Sequence, residues 1–131
     1  MEPTEIIPNL YLGNINNSAT FDGASICVLE TRDTYAQNAT WLPIMKNIPS
    51  SVEGVTTYVA DKKNIDAVAE AIDVLLAAGK KVLVHCYVGM ERSPFAVMQY
   101  LKTKKGMTED EAYDLIISKR PIVQRRVWPV V

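Results

Sequence analysis

The residues best suited to chemistry lie in one short stretch, His85-Cys86-Tyr87-Val88-Gly89-Met90-Glu91-Arg92-Ser93. A thiol, a glycine, a guanidinium and a hydroxyl so spaced describe an anion site with a nucleophile in its floor. Between a strand and a helix start, several backbone N–H groups lack an intrahelical partner and can converge on an anion. Gly89 permits the sharp bend and positive φ that such a nest of N–H groups needs. Arg92, six positions after Cys86, can close over the anion with a planar, bidentate fork. The helix dipole and Arg92 both favour the Cys86 thiolate over the thiol. Ser93 can donate to the sulfur, and His85 can brace the loop from behind. A thiolate beneath a phosphate cradle is a nucleophile for phosphoryl transfer. The plainer reading, a buried core cysteine, leaves the Gly, Arg and Ser offsets unexplained.

The flanking residues supply the elements that would hold this loop. Val82-Leu83-Val84 is a short apolar run suited to a central strand covered on both faces. From Ser93 to about Lys104 the pattern suits a helix, with Pro94 tolerated in its first turn and Gly106 as a stop. Residues 64–78 form the clearest helix, with Ile65, Val68, Ala69, Ile72, Leu75 and Leu76 on one face and Gly79 following. Thr108-Glu109-Asp110-Glu111 reads as a capping box opening a last helix that ends near Lys119-Arg120-Pro121. Residues 6–14 are expected to form a short strand entering a Gly-Asn turn, and residues 25–30 another buried strand. Cys27 within it reads as a core residue, a protective disulfide with Cys86 being the alternative. From Thr31 to Ser51 the pattern is weak: Asp33, Thr34, Tyr35, Gln37, Asn38 and Thr40 suit a loop or irregular helix, and Pro43 and Pro49 argue against a long one. Trp41, beside Leu42, suits the core better than a substrate entrance. Val52 to Ala60 is β-rich and is expected to lie beside the strand ending at Cys86.

Composition narrows the class. The chain of 131 residues suits one domain, residues 1–131, with a real core. Fourteen Lys+Arg against 15 Asp+Glu give no gross charge to suggest nucleic acid or a membrane surface. Two cysteines are too few for a disulfide scaffold, the apolar runs are too short to span a bilayer, and the start is no signal peptide. A cytoplasmic protein is the expectation.

His85-Cys86-x-x-Gly89-x-x-Arg92-Ser93 resembles the signature of cysteine-based protein tyrosine phosphatases, in particular their compact dual-specificity group. Pro8-x-Leu10-Tyr11-Leu12-Gly13 resembles the opening of those domains, and Arg120-Pro121 their C-terminal part. The relatives' first helix would fall near Asn16-Asn17-Ser18, where this chain shortens it. The resemblance implies a three-layer α/β domain whose mainly parallel central sheet has helices on both faces. It also implies a two-step reaction. The Cys86 thiolate attacks phosphorus while Arg92 and the backbone amides of Tyr87, Val88, Gly89, Met90 and Glu91 hold the non-bridging oxygens. A carboxylic acid then protonates the leaving oxygen, leaving a phosphocysteine that water hydrolyses as Ser93 helps the thiolate depart. Asp61, following the Val55–Ala60 run, stands where the family keeps this acid. Its simpler role is to end a strand or cap the next helix, a cap Asn64 could provide instead, and Asp66 and Asp73 read as helix positions. No metal or other cofactor is called for.

Relatives often place a polar residue near the C-terminal tail to position water, and Gln124 is the candidate there. Arg125 and Arg126 read as a solvated pair, and Trp128 with Val127, Val130 and Val131 as packing back on the domain. Tyr87, Val88, Met90 and Glu91 bring no basic side chain to the loop, so the expected substrate is a phosphoprotein carrying phosphotyrosine, with some phosphoserine and phosphothreonine. Phosphoinositide hydrolysis, a non-catalytic phosphoprotein-binding module and a rhodanese- or arsenate-reductase-like enzyme are the rival readings.

Overall fold

The computed structural model describes residues 1–31 and 38–131. Its strands are β1 (Thr4–Ile7), β2 (Leu10–Gly13), β3 (Ala24–Cys27), β4 (Thr40–Trp41), β5 (Met45–Pro49), β6 (Thr56–Ala60) and β7 (Val82–His85). Its α helices are α1 (Lys62–Ala77), α2 (Arg92–Lys104) and α3 (Glu109–Lys119), and a 3₁₀ helix spans Ile15–Ala19. Five strands form one sheet in the order β1-β2-β7-β3-β4. The strand that delivers Cys86 is at its centre, parallel to β2 on one edge and to β3 on the other. All four β7 residues are buried, as a strand enclosed on both faces requires. β4 adds in parallel and only β1 runs antiparallel. This mainly parallel sheet with three α helices is consistent with the expected three-layer α/β domain. α2 packs between α1 and α3 and against β7 and β2, burying Phe95, Val97, Met98, Tyr100 and Leu101.

Three expectations are corrected. Residues 6–14 are not one strand: β1 and β2 form an antiparallel pair that turns at Pro8-Asn9. Asn9 sits at φ 70°, a left-handed conformation that asparagine tolerates, and donates its N–H to the Glu5 carboxylate. The second concerns β6, which does not lie beside β7. Both edges of β7 are already taken, so β6 pairs antiparallel with β5 in a separate two-stranded sheet. Pro49 hid β5 in the sequence, yet both strands of such a pair are edges, where a missing N–H is tolerated. Trp41 is corrected too: it is exposed on the edge strand β4, with its indole N–H donated to the Leu29 carbonyl. The readings at Asp33, Thr34, Tyr35 and Gln37 lie outside the described residues.

The helices match their expected positions within two residues. Thr108 and Glu111 form the capping box of α3 reciprocally. Asn14 and Asn17 form another at the 3₁₀ helix, the short remnant where a longer first helix was expected to be abbreviated.

Candidate active site

Cys86 follows the last residue of β7, and α2 begins at Arg92, so residues 86–91 form a bare strand-to-helix loop. Gly89 has φ 80°, and an added Cβ would lie 2.6 Å from the Gly13 carbonyl oxygen and 2.7 Å from Arg120 Nη2. No other residue fits. Glu91, at the N-cap of α2, makes no side-chain capping bond, so no capping side chain occupies the helix's first amides.

The loop's carbonyls explain how its amides are aimed. Tyr87 O accepts from Ile15 N at 3.0 Å and Met90 O from Gln124 N at 2.8 Å. Val88 O accepts from Arg120 Nη2 at 3.2 Å and Gly89 O from Arg120 Nε at 3.1 Å. Four successive carbonyls are thus held by groups from three other segments. In a trans peptide the next residue's N–H points the opposite way, which turns the amides of residues 88–91 from those anchors. The Gly89 N–H accordingly reaches Cys86 Sγ at 3.3 Å, and Ser93 Oγ lies 3.2 Å from the same sulfur. Cys86, Tyr87, Val88, Met90, Glu91, Arg92 and Gln124 line a cavity of about 250 Å³. Beneath it, His85 Nδ1 lies 3.4 Å from the Cys86 carbonyl. A carbonyl can only accept, so Nδ1 carries the proton. Burial holds the imidazole below its usual range, partly opposed by that hydrogen bond, and keeps it neutral.

Arg92 is held from outside the loop by two groups that sequence reading missed. Its Nε donates to Glu30 Oε1 at 2.6 Å, and its Nη2 to the Tyr58 hydroxyl at 3.3 Å. Burial alone would lower the guanidinium, but the Tyr58 hydrogen bond and the Glu30 charge more than offset it, and the net direction is up. Glu30 closes the apolar run of residues 25–30. The expected strand over 25–30 is shorter, β3 ending at Cys27; that a carboxylate closes the apolar run was visible, but its partner is 62 positions away.

The other sequence candidates fall as follows. Asp61 does stand at the β6–α1 junction, but Asp61 itself is the N-cap of α1: Oδ1 accepts from the N–H groups of Lys63 and Asn64. Asn64 is not the cap, and donates instead to the Pro43 carbonyl. Asp61 is not among the residues lining the cavity, whereas Gln124 is. Asp66 pairs with Lys62 on the outer face of α1. Arg125 and Arg126 are not merely solvated: Arg125 pairs with Asp110 and Asp114, and Arg126 with Glu91 on the loop. Of the tail's apolar residues, Trp128 packs edge-to-face on Phe95 at 5.2 Å, while Val127, Val130 and Val131 are exposed. Cys27 is buried, and it and Cys86 are both thiols.

The family model "Dual specificity phosphatase, catalytic domain" matches residues 11–128. The chain belongs to the dual-specificity phosphatase family. It is 30% identical to "Putative tyrosine phosphatase 123R" of Invertebrate iridescent virus 6, with 94% of this chain and 83% of that protein covered. It is also 30% identical to "Dual specificity protein phosphatase 2" of Mus musculus, covering 92% of this chain but 38% of the mouse protein. The solved structure of DUSP15 superposes with a TM-score of 0.72 at 25% identity, over 95% of this chain and 80% of that one. Membership makes the domain a cysteine-dependent phosphoric monoester hydrolase of the protein-tyrosine/dual-specificity class, working through a phosphocysteine. The loop fits that chemistry: a sulfur with the Gly89 N–H and the Ser93 hydroxyl beside it, inward amides, and an arginine at the rim.

Proposed function

We propose that this dual-specificity phosphatase hydrolyses phosphotyrosine, and more slowly phosphoserine and phosphothreonine, in protein substrates that present a single phosphate. The observation that carries it is Cys86 Sγ, placed between Ser93 Oγ and the Gly89 N–H in the floor of the Arg92 cavity. Two features support a target that presents a single phosphate. Glu91 is the loop's own charged rim residue beside Arg92, and Arg126 and Arg125, the cations of the nearby tail, already have acidic partners. A polyanionic headgroup would meet little unpaired positive charge.

In the first step Cys86 attacks phosphorus, the S–P bond forms, the P–O bond to the leaving group breaks, and Arg92 with the loop amides holds the equatorial oxygens. Asp61 is our candidate for the proton donor to that oxygen. Both capping bonds use Oδ1, which leaves Oδ2 for the proton. Water then attacks the phosphocysteine with Asp61 as base, Gln124 as its positioning partner and Ser93 donating to the departing sulfur. We place the protein in the cytoplasm, whose reducing poise keeps Cys86 a thiol.

The test is hydrolysis of p-nitrophenyl phosphate and of phenyl phosphate without added metal. Cys86→Ser is expected to abolish both. Asp61→Ala is expected to lower kcat by roughly 100-fold on the poorer leaving group and less on the better one. Equal losses on both would remove Asp61 from the acid's role, and an active Cys86→Ser variant would overturn the mechanism. Phosphoinositides cleaved far faster than phosphotyrosyl peptides would overturn the substrate class.

A further inference from the structure

Arg120 is the largest fully buried side chain among the described residues, 2% exposed, at the C-terminal cap of α3. A guanidinium in that position normally has a carboxylate, because a buried unpaired charge is costly. Among the described residues Arg120 has none. Its hydrogen bonds go to Val88 O, Gly89 O, Glu2 O and Thr4 Oγ1, all neutral acceptors. Two of the four lie on the catalytic loop, directly under the anion cradle.

The other charges around Cys86 are already matched. Arg92 is tied to Glu30, and Arg126 to Glu91. His85, from β7, is buried and neutral, and Tyr58 sits beside Arg92 as an uncharged donor and acceptor. That leaves Arg120 as the uncompensated cation next to a loop that must hold first a thiolate and then a phosphoryl dianion.

We propose that Arg120 is a positioning residue of the active site, its unpaired charge countering the Cys86 thiolate from below while its fork holds the Val88 and Gly89 carbonyls away from the cavity. The missing counter-ion is the site itself: the thiolate at rest, and the bound phosphate during turnover. Burial lowers the Arg120 guanidinium while the charge of Cys86 acts to raise it, the direction this coupling requires. The same bonds to Glu2 and Thr4 tie the N-terminal segment and β1 to the loop, so α3 and β1 register the cradle together.

The proposal rests on the phosphatase reading for the purpose of the charge, but its test reads Cys86 ionisation and not turnover. The rate of Cys86 alkylation by iodoacetamide would be followed against pH in the parent protein, Arg120→Met and Arg120→Lys. Arg120→Met keeps the volume and loses the charge. Its alkylation at mildly acidic pH should fall about tenfold, the midpoint moving up. Arg120→Lys, which keeps the charge without the fork, should recover most of that rate but bind inorganic phosphate about tenfold more weakly than the parent. An Arg120→Met protein alkylated at the parental rate and midpoint would overturn the electrostatic role. Parental phosphate affinity in Arg120→Lys would overturn the carbonyl-holding role. If both variants fail to fold, the unmodified protein still decides it. The Arg120 Nε–H resonance should move with pH at the midpoint of Cys86 alkylation and lose that step in Cys86→Ser. A resonance indifferent to Cys86 would sink the proposal.

Discussion

Arg92 has five N–H donors, and before any substrate arrives Nε–H is committed to Glu30 and one Nη2 hydrogen to the Tyr58 hydroxyl. Those bonds fix the plane of the guanidinium, so the remaining donors meet an incoming phosphate already oriented. Replacing Glu30 by Gln keeps an acceptor but removes the charge, and a hydrogen bond to a charged partner contributes about 1.5–3 kcal/mol. For a half-exposed pair the lower end applies, so kcat/KM for p-nitrophenyl phosphate should fall about tenfold with thermal stability nearly unchanged. An unaltered kcat/KM in Glu30→Gln would mean Arg92 finds its pose without help. The residue scale also divides what sequence reading could reach from what it could not. Cys86, Gly89, Arg92, Ser93 and His85 were legible because their geometry is set within nine consecutive residues. Glu30, Tyr58 and Arg120 were not, because each acts on the loop across 31 to 62 positions. Pairing them requires knowing which strand lies beside which.

Helices α1, α2 and α3 were readable from apolar period and end signals, both of which are local. The β5–β6 pair was not, since its identity depends on β7 having no free edge. Asp61 belongs to both cases: the strand-to-helix junction was foreseen, but the cap turned out to be Asp61 rather than Asn64. At α3 the cap has a consequence for the site, because the helix that Thr108 opens ends by delivering Arg120 to the catalytic loop. Thr108→Ala removes one bond of the capping box and should cost about 1 kcal/mol of unfolding free energy in urea titration. The cap lies at the far end of α3 from Arg120, so kcat under native conditions should stay at the parental value. A fall in kcat without loss of stability would show that the helix does not act as a rigid carrier.

Across the whole molecule, the tail packs against β6, the start of α1 and α2. Pro129 O accepts from Ala60 N, and Val131 exchanges backbone bonds with Ala60 and Lys62, while Trp128 rests on Phe95 of α2. With α2 covered in this way and β7 central, His85 is wholly buried, and its Nε2 has no hydrogen-bond partner. Protonating it in the fold would bury a charge beside an unmet donor, and this is why burial depresses its basicity. The sign follows directly. The unfolded chain, with histidine near its ordinary 6.5, binds more protons than the fold below that pH. Stability is therefore fully present above that value and is lost as pH falls through it towards the lower folded value. The slope is at most about 1.4 kcal/mol per pH unit. Because the chain has one histidine, the Cys86→Ser protein should show a urea midpoint that declines from about pH 7 to about pH 5.5, well above the range of ordinary carboxylates. His85→Gln in that background should be less stable at neutral pH but nearly flat over the same interval. A decline that survives His85→Gln would have to come from another group, and the neutral, buried imidazole would then no longer be what couples this fold to acid.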